Sequence, residues 1–271
     1  MVPHSYQSKQ LFINPATINL KILPRNLRLF LLLIILFLSI NQIIAQPKSK
    51  QVTNHPQTWV GINSVLRFTS HWGIAVDVNY RSNQFFASDF YSIARAGVNY
   101  WVNENITFTA GYAHQCTAPT TSGWHTIVTE NRLYQQVIIA AKVGRISFTN
   151  RLRNEERWQE KIVADTNTHE KIFTDRVRYQ LMAILPLTKK SYLPSLVLSD
   201  ELCVQMGKTI VYNIFDQNRA FIGLREGLFK SLSIDVGYMI IDQEKSSGYQ
   251  YDRDHIFRLF FHYNPDFRKG K

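Results

Sequence analysis

Arginines and carboxylates recur at every second residue in the second half of the chain. In the stretch "NRLRNEERW" the residues Arg151, Arg153, Glu155 and Arg157 follow this spacing. A solvated helix, a nucleic-acid-binding face or a strand with one charged face would each carry such a stretch. The period of two favours the strand, because alternate side chains of a strand point to the same face. The residues that share the pattern are Glu130, Arg132, Arg151, Arg153, Glu155, Arg157, Arg176, Arg178, Glu201, Arg219, Arg225 and Asp235.

This set holds eight arginines against four carboxylates. A guanidinium group presents several N–H donors in a fixed fork that matches carboxylate and phosphate oxygens. The set is therefore expected to do one of two things. It forms an interlocked network of arginine–carboxylate pairs, or its unpaired arginines make a positive constriction that selects anionic solutes.

Residues of the types found in Ser–His–acid catalytic sites lie around one predicted loop. His114 and His125 flank residues 117–127, near Ser122 and Glu130. A Ser–His–acid site needs these residue types, but the sequence has no G-x-S-x-G motif. No two histidines have the i, i+2 or i, i+4 spacing of a metal site. We therefore predict no catalytic residues, no metal and no cofactor, with a lipid- or glycolipid-modifying enzyme as an alternative function.

The first 45 residues have the anatomy of a secretory signal peptide. Lys21, Arg25 and Arg28 precede the apolar run "LFLLLIILFLSI", and Ala45 supplies the small residue before a cleavage site. The apolar run is shorter than the ~20 residues that a spanning helix needs. The leader holds four of the 31 basic residues and none of the 20 acidic ones. The exported chain is then only moderately positive, and nucleic acid is not an expected partner.

Beyond Pro56 the chain alternates between apolar and polar residues. In "WGIAVDVNYR" the side chains of Trp72 and Ile74 fall on one face and those of Asp77 and Arg81 on the other, which is typical of a strand. Many segments of this kind have ten or more residues, as a tilted membrane strand needs about 9–11, whereas soluble strands average about 5–6. The pattern predicts eleven strands, at 57–68, 72–81, 89–102, 105–116, 128–143, 145–158, 172–187, 193–206, 216–229, 231–243 and 254–263.

Short turns alternate with longer polar loops along this region, as in outer-membrane barrels. The expected loops are 82–88, 117–127, 159–171, 207–215 and 244–253. Single-chain bacterial barrels have an even number of strands. We therefore expect an all-β antiparallel transmembrane barrel of about twelve strands (ten to twelve), with both termini at the same end. Residues 46–56 then either add a strand or thread the lumen.

Cys116 and Cys203 fall on strands expected to lie far apart, so we expect them unpaired.

The alternation also predicts which side chains face lipid. A charged side chain on the lipid face costs about 2–4 kcal/mol for Arg or Lys near the bilayer midplane. The twelve charged residues are therefore expected to point into the lumen, and intervening residues such as Ile139 and Leu152 toward lipid. Glu156 and Asp200 also fall on the apolar face. Glu156 lies near a strand end, where it reaches water, whereas the pattern gives no reason for Asp200.

Seven stretches of the chain share their order and spacing with a known family: "ENRLYQQ", "NRLRNEERW", "RVRYQLMAILPL", "SDELCVQ", "FDQNRAFIGL", "VGYM" and "DHIFRLFFHYN". On these residues the chain resembles the domain-of-unknown-function 2490 family of uncharacterised outer-membrane proteins. The resemblance covers about residues 57–264, and it implies an exported β-barrel with no established activity and no recognised catalytic residues.

We predict a monomeric outer-membrane β-barrel over residues 57–264, between an N-terminal segment (46–56), which follows the signal peptide (1–45), and a basic tail (265–271). The barrel is expected to be structural or to pass small anionic solutes. Its expected partners are outer-membrane lipid, the barrel-assembly machinery during biogenesis and small anionic solutes. An exported soluble β-sandwich that binds a ligand is a further alternative, since a mean hydropathy of −0.18 does not by itself indicate a membrane protein.

Overall fold

The computed structural model describes residues 49–188 and 193–268, and all its regular structure is β. The leader 1–45, the start of segment 46–56 and the last residues of the basic tail lie outside the described residues. The strands are β1 (Gln51–Arg67), β2 (Trp72–Asn83), β3 (Ser88–Trp101), β4 (Ile106–Thr117), β5 (Val128–Val143), β6 (Ile146–Val163), β7 (Thr166–Pro186), β8 (Ser195–Met206), β9 (Phe215–Phe229), β10 (Leu232–Glu244) and β11 (Gln250–Tyr263).

The strands form one closed barrel in which each strand pairs with its neighbours in sequence and β1 closes the sheet against β11. All consecutive pairs are antiparallel, whereas β1 and β11 pair in parallel, from Gln51 opposite Gln250 to Ser64 opposite Tyr263. The prediction of an all-β barrel is confirmed, and the alternative of a two-sheet sandwich is wrong because the sheet closes on itself.

The described residues form eleven strands, which lies within the expected range of ten to twelve. Residues 51–56 do not form the additional twelfth strand that we expected. They extend β1, and they pair with residues 250–255 of β11. With an odd number of strands, β1 and β11 run in the same direction, so a closed sheet requires one parallel seam. The beginning of β1 and the end of β11 therefore lie at opposite ends of the barrel, and the expectation that both lie at one end is wrong.

The two ends of the barrel carry different connections. One end, called the turn end here, carries residues 68–71, 102–105, 144–145 and 230–231. The opposite end, called the loop end, carries 84–87, 118–127, 207–214 and 245–249. The predicted loop 159–171 is instead the end of a long hairpin of β6 and β7, whose two-residue turn has positive φ at Ala164 and Asp165. Two positive φ angles define the turn type that matches strand twist in a hairpin.

The outward and inward faces follow the alternation of the sequence. Ile139 on β5 is 45% exposed on the outer face, whereas Arg153 on the neighbouring β6 is 6% exposed inside. Apolar side chains cover most of the outer face, from Trp72 and Val98 to Tyr238 and Phe257. Inside the barrel an apolar cluster fills part of the lumen; its members are Trp59, Val197, Phe221, Met239, Ile241, Ile256 and Phe260.

The two acidic residues on the apolar outer face have polar neighbours. Asp200 on β8 accepts a hydrogen bond from the side-chain amide of Asn218 on β9, at 3.1 Å. Glu156 on β6 accepts one from Gln135 on β5, at 3.4 Å. A cross-strand amide therefore partners each carboxylate, which supplies the reason for Asp200 that the sequence pattern lacks.

The first residues after β11 fold back onto the turn end. The backbone of Arg67 at the end of β1 bonds to Pro265 and Phe267, and the ring of Phe267 stacks on that of Phe68 at 5.8 Å. Glu104 in the exposed turn 102–105 accepts hydrogen bonds from Arg67 and from Arg268. The bond from Arg67 is the main reason why the pKa of Glu104 falls to about 2. The described part of the basic tail is thus held at the turn end by charge and by ring stacking.

Candidate functional site

The interior of the barrel holds a charge network centred on the carboxylate of Glu155. Because β6 directs every second side chain inward, Glu155 meets arginines from its own strand and from both neighbouring strands. Its oxygens lie 2.6 Å from Arg176 Nη2 and 2.6 Å from Arg178 Nη1 on β7. Arg132 on β5 and Arg153 on β6 approach within 3.4 and 3.5 Å. One carboxylate therefore contacts four guanidinium groups.

Two further carboxylates extend the network. Glu130 on β5 pairs with Arg132 at 2.5 Å and with Arg157 at 2.9 Å. Asp216 on β9 pairs with Arg176 at 3.0 Å. Because Arg132 and Arg176 also contact Glu155, the strands from β5 to β9 are joined by one continuous chain of ion pairs.

Glu201 on β8 and Asp235 on β10 continue the charges around the barrel. Glu201 lies 2.6 Å from Arg151, 2.8 Å from Arg178 and 3.3 Å from Arg219. Asp235 accepts two hydrogen bonds from Arg225, at 2.5 and 2.7 Å. It also lies 3.0 Å from His262 Nε2 and 3.9 Å from Arg258.

The side chains of these pairs are buried in the lumen. Glu155 is 1% exposed and Glu130 2% exposed, and Arg132, Arg176 and Asp216 are also buried. We call Glu130, Arg132, Glu155, Arg176 and Asp216 the plug.

A cavity of about 380 Å³ lies between the plug and the turn end. Residues from the turn-end halves of the strands, such as Asn63, Ala75, Ile138 and Met182, form its walls. We call this cavity the chamber. Eight of its lining residues are arginines and two are carboxylates: Arg81, Arg95, Arg151, Arg153, Arg178, Arg219, Arg225 and Arg258, with Asp77 and Glu201.

Several of these arginines are not fully paired. The guanidinium of Arg81 lies over the ring of Trp59 at 3.5 Å and over Tyr91 at 4.0 Å, and no carboxylate pairs with it among the residues that the structure describes. Arg258 lies between the rings of Phe221 and Phe260, at 4.2 and 4.3 Å. Aromatic faces attract cations but offer no hydrogen-bond acceptor comparable to a carboxylate.

The hydrogen bonds of Arg81, Arg258 and a third arginine, Arg151, are also incomplete. Within the described part of the chain, their Nε atoms are buried without a hydrogen-bond partner. An unsatisfied buried donor costs about 1–3 kcal/mol, and an acceptor brought by a ligand removes that cost. The chamber is therefore lined by positive charge on several sides, and some of the guanidinium donors around it are buried without a partner.

The structure places all twelve predicted side chains on the inner face, ten of them in ion pairs of the plug or around Glu201, and Arg225 and Asp235 in a group with Arg258 and His262. The predicted set did not include six charged interior residues: Asp77, Arg81, Arg95, Asp216, Asp254 and Arg258. All but Asp216 continue the period-two alternation of β2, β3 and β11, which had already placed Asp77 and Arg81 on a polar face, so the same rule applied to every strand would have added them. Asp216 lies beside a register shift between β8 and β9, which conceals it from the alternation.

The structure does not bring the suggested Ser–His–acid residues together. Glu130 points into the lumen and pairs with Arg132 and Arg157, whereas His114 lies exposed on the outer face of β4. The backbone of His125 donates to Asp165 at the β6–β7 turn. These hydrogen bonds, above all the one from the Thr126 amide, lower the pKa of Asp165. Among the described residues no group of three or more His, Cys, Asp or Glu side chains could hold a metal ion.

The two cysteines are free, as expected. Cys203 is enclosed inside the barrel on β8, and Cys116 lies on the outer face of β4. The wall of the barrel separates them.

Comparison with protein families gives one match. The model of "Protein of unknown function (DUF2490)" matches residues 56–252, which is well over half of the chain. The chain belongs to this family. The match spans β1 to β10 and the start of β11, and it includes the plug and most of the chamber. No curated protein and no solved structure matches the chain.

Within residues 49–188 and 193–268, no helix is long and apolar enough to cross a membrane.

The plug predicts a large effect of one isosteric change. Glu155→Gln removes the carboxylate that four buried arginines contact, and removing one partner of a buried ion pair costs about 3–5 kcal/mol. We expect a matching loss of unfolding free energy, measured by urea denaturation of the refolded protein in detergent with tryptophan fluorescence.

Two further variants make that result specific. Glu104→Gln, at the exposed turn-end pair with Arg67, should leave the urea midpoint almost unchanged. The double variant Glu155→Gln/Arg178→Gln removes one of the stranded charges and should recover part of the loss. Equal effects of Glu155→Gln and Glu104→Gln would contradict the central role of Glu155.

Proposed function

We propose that the protein is an outer-membrane β-barrel that binds small anionic solutes in its chamber and is closed to free passage by its plug. The observation that carries the proposal is the lining of the chamber, with eight arginines against two carboxylates and with buried donors that lack partners. The membrane location and the anionic ligand are separate parts of the proposal, and each has its own support.

The outer face supports the membrane location. Large exposed apolar side chains recur on almost every strand, including Val78, Val98, Leu133, Ile139 and Ile222. Soluble monomers rarely expose contiguous apolar patches larger than a few hundred Å². Outer-membrane barrels expose such a band between two rings of aromatic residues. Near the loop end the rings of Trp158 and Phe173 pack at 5.4 Å, and near the turn end those of Trp72 and Tyr100 pack at 4.9 Å.

The chamber supports an anionic ligand of small size. Ligand pockets commonly measure about 300–1,000 Å³, and this one has about 380 Å³. Guanidinium groups bind carboxylates and phosphates through paired N–H donors. A solute with one or two such groups would accept hydrogen bonds from Arg81, Arg151 and Arg258. It would also supply a negative partner to Arg81, which no carboxylate of the described residues pairs with.

The plug supports binding rather than free conduction. The ion pairs of Glu130 and Glu155 lie between the chamber and the loop end, and their side chains are almost fully enclosed. A solute that enters from the turn end therefore meets a closed wall. Passage across the barrel would require at least the pairs of Arg132 and Arg176 to separate, and separated buried charges are costly.

The membrane location predicts a depth-dependent effect on the outer face of β5. Ile139→Arg places a charge inside the apolar band, where it costs up to about 2–4 kcal/mol, whereas Val143→Arg places it beside the turn 144–145, where the cost falls to about 0–1 kcal/mol. We expect Ile139→Arg to reduce the folded fraction in lipid vesicles strongly and Val143→Arg to change it little. Both residues are exposed in the barrel, so similar folded fractions would contradict the membrane location.

The chamber predicts specific anion binding. Isothermal titration of the refolded protein with inorganic pyrophosphate should give a Kd that rises with salt, because both partners are charged. Arg81→Gln removes a cation without a carboxylate partner, and we expect a Kd at least about 10-fold higher, equal to about 1.4 kcal/mol.

The control for this binding removes the same charge elsewhere. Arg253→Gln affects a loop-end arginine that pairs with Asp242, and it should leave the Kd unchanged. Absence of pyrophosphate binding to the folded protein, or an equal effect of both variants, would contradict the anion-binding role of the chamber.

The plug predicts that the barrel does not conduct ions. In a planar bilayer the refolded protein should show no steady single-channel conductance, because no water-lined path crosses the plug. Glu155→Gln weakens the plug and should raise the frequency of brief openings. A steady conductance of the unaltered protein would mean that the lumen is open, and the chamber would then be part of an anion-selective pore.

A further inference from the structure

Three side chains near the loop end form a chain of hydrogen bonds on the outer face of the barrel. His114 and Cys116 are two residues apart on β4, and Asn131 lies directly opposite His114 on β5. Cys116 Sγ lies 3.6 Å from His114 Nε2, and His114 Nδ1 lies 2.8 Å from Asn131 Oδ1. A thiol, an imidazole and an amide in this order are the components of an activated cysteine nucleophile.

The hydrogen bonds fix the role of each imidazole nitrogen. The amide oxygen of Asn131 accepts hydrogen bonds and cannot donate them, so Nδ1 of His114 carries the proton and donates it. In the neutral ring Nε2 is then unprotonated and faces the thiol of Cys116. This is the tautomer in which histidine accepts a proton from a nucleophile. Asn131 Oδ1 also accepts a hydrogen bond from the Tyr112 hydroxyl at 2.6 Å, which holds the amide in place.

The position of the three side chains matches the ester region of a lipid. Asn131 is directly opposite Trp158 on β6, and Trp158 is opposite Phe173 on β7, in the aromatic ring near the loop end. Such aromatic side chains lie at the boundary between hydrocarbon and headgroups. His114 is exposed and Cys116 is partly exposed, so both are accessible from that boundary.

A shallow apolar groove lies beside these residues on the outer face of β2 to β5. Its lining includes Tyr112 and Leu133, which are each two residues along the strand from His114 and Asn131. The small side chains of Ala96 and Ala110 form its floor, and Ile74, Val98 and Leu133 stand beside it. The ring of Tyr112 lines the groove while its hydroxyl bonds to Asn131. The six steps along the strand from Ala110 to Cys116 cover about 20 Å, comparable to the ~15 Å hydrocarbon depth of one leaflet.

We propose that Cys116, His114 and Asn131 form an acyl-transfer site that cleaves fatty acyl esters of membrane lipids, with the acyl chain in the groove. Cys116 is the nucleophile and His114 the general base and acid. Asn131 is a positioning residue that acts through His114. The proposal goes beyond anion binding in the chamber, since the barrel wall separates the two sites.

The chemistry balances with water as the only co-reactant. His114 Nε2 takes the thiol proton as Cys116 Sγ forms a bond to the ester carbonyl carbon. The resulting tetrahedral oxyanion collapses, the carbon–oxygen ester bond breaks, and the leaving alkoxide takes the proton from the imidazolium. Water then attacks the thioester while His114 accepts its proton. The carbon–sulfur bond breaks, the fatty acid leaves, and the imidazolium returns the proton to the thiolate.

The test uses the refolded full barrel in detergent and p-nitrophenyl palmitate as the acyl ester. Cys203→Ser, whose change lies inside the lumen, serves as the background, because it leaves Cys116 as the single thiol of the described residues. We expect this protein to release p-nitrophenol and to carry one palmitoyl group, seen by intact mass and removed by hydroxylamine. Retained heat-modifiable migration in electrophoresis shows that each variant is folded.

The variants separate the roles. Cys116→Ser should abolish the acyl adduct, and His114→Ala should slow release about 100-fold or more, as expected for loss of a general base. Asn131→Ala should also slow it. Asn131→Asp keeps the oxygen acceptor and should retain more of the rate, with the pH–rate profile moved to higher pH because a carboxylate stabilises the imidazolium.

Vesicles of palmitoyl-labelled phosphatidylethanolamine then test the lipid substrate, with release of free palmitate expected from the same protein. Ala110→Trp fills the groove floor and should reduce release from the long-chain ester much more than from p-nitrophenyl acetate. A folded barrel that forms no adduct and releases no product from either ester would overturn the proposal. So would a rate in Cys116→Ser equal to that of its background.

Discussion

The structure depends on how it pairs charges that are taken out of water. Each buried ion loses several kcal/mol of hydration, and close, hydrogen-bonded partners must offset that loss. Glu155 meets this requirement with four arginines from three adjacent strands. The same pairs also specify the strand register, because a slip of one residue would turn every charged side chain from the lumen to the apolar outer face. The charged interior and the apolar outer face therefore both result from the alternation of polar and apolar residues along the strands.

The lumen is divided because arginines outnumber carboxylates. Toward the loop end each of Glu130, Glu155 and Asp216 has arginine partners, and the side chains fill the space. Toward the turn end carboxylates are fewer than arginines: Arg81 rests on aromatic rings without a carboxylate partner among the described residues, and Arg258 lies between two rings with Asp235 only at 3.9 Å. The chamber lies where arginines such as Arg81 lack a carboxylate partner among the described residues. A barrel of this strand number is narrow enough for side chains to close one half and wide enough to leave a cavity in the other.

The alternation of the sequence was sufficient to predict the barrel, the direction of its faces and the interior position of residues such as Arg153 and Glu201. It was not sufficient for features that depend on contacts between distant segments. The continuation of β1 through residues 51–56 requires β11 as a partner, and nothing local to "QVTNHP" indicates it. Segment 159–171 was predicted as a loop because its side chains are mostly polar. In the structure the same residues continue β6 and β7 as a hairpin. The i, i+2 spacing of His114 and Cys116 on one strand is sufficient to predict that their side chains share a face. The contact of Asn131 with His114 depends on the register between β4 and β5, which the sequence alone does not indicate.

The parallel seam between β1 and β11 has a consequence for the order in which the barrel assembles. Thirteen successive steps of register, from Gln51 opposite Gln250 to Ser64 opposite Tyr263, join residues about two hundred positions apart, whereas every other strand pair joins sequence neighbours. Contacts of such long sequence separation form late, because the loop entropy must be lost before they contribute. Until the seam closes, the sheet is an open ribbon with two free edges, and free edges accept foreign strands. The seam is therefore the part of the sheet in which wrong strand pairing is most easily made before the barrel closes.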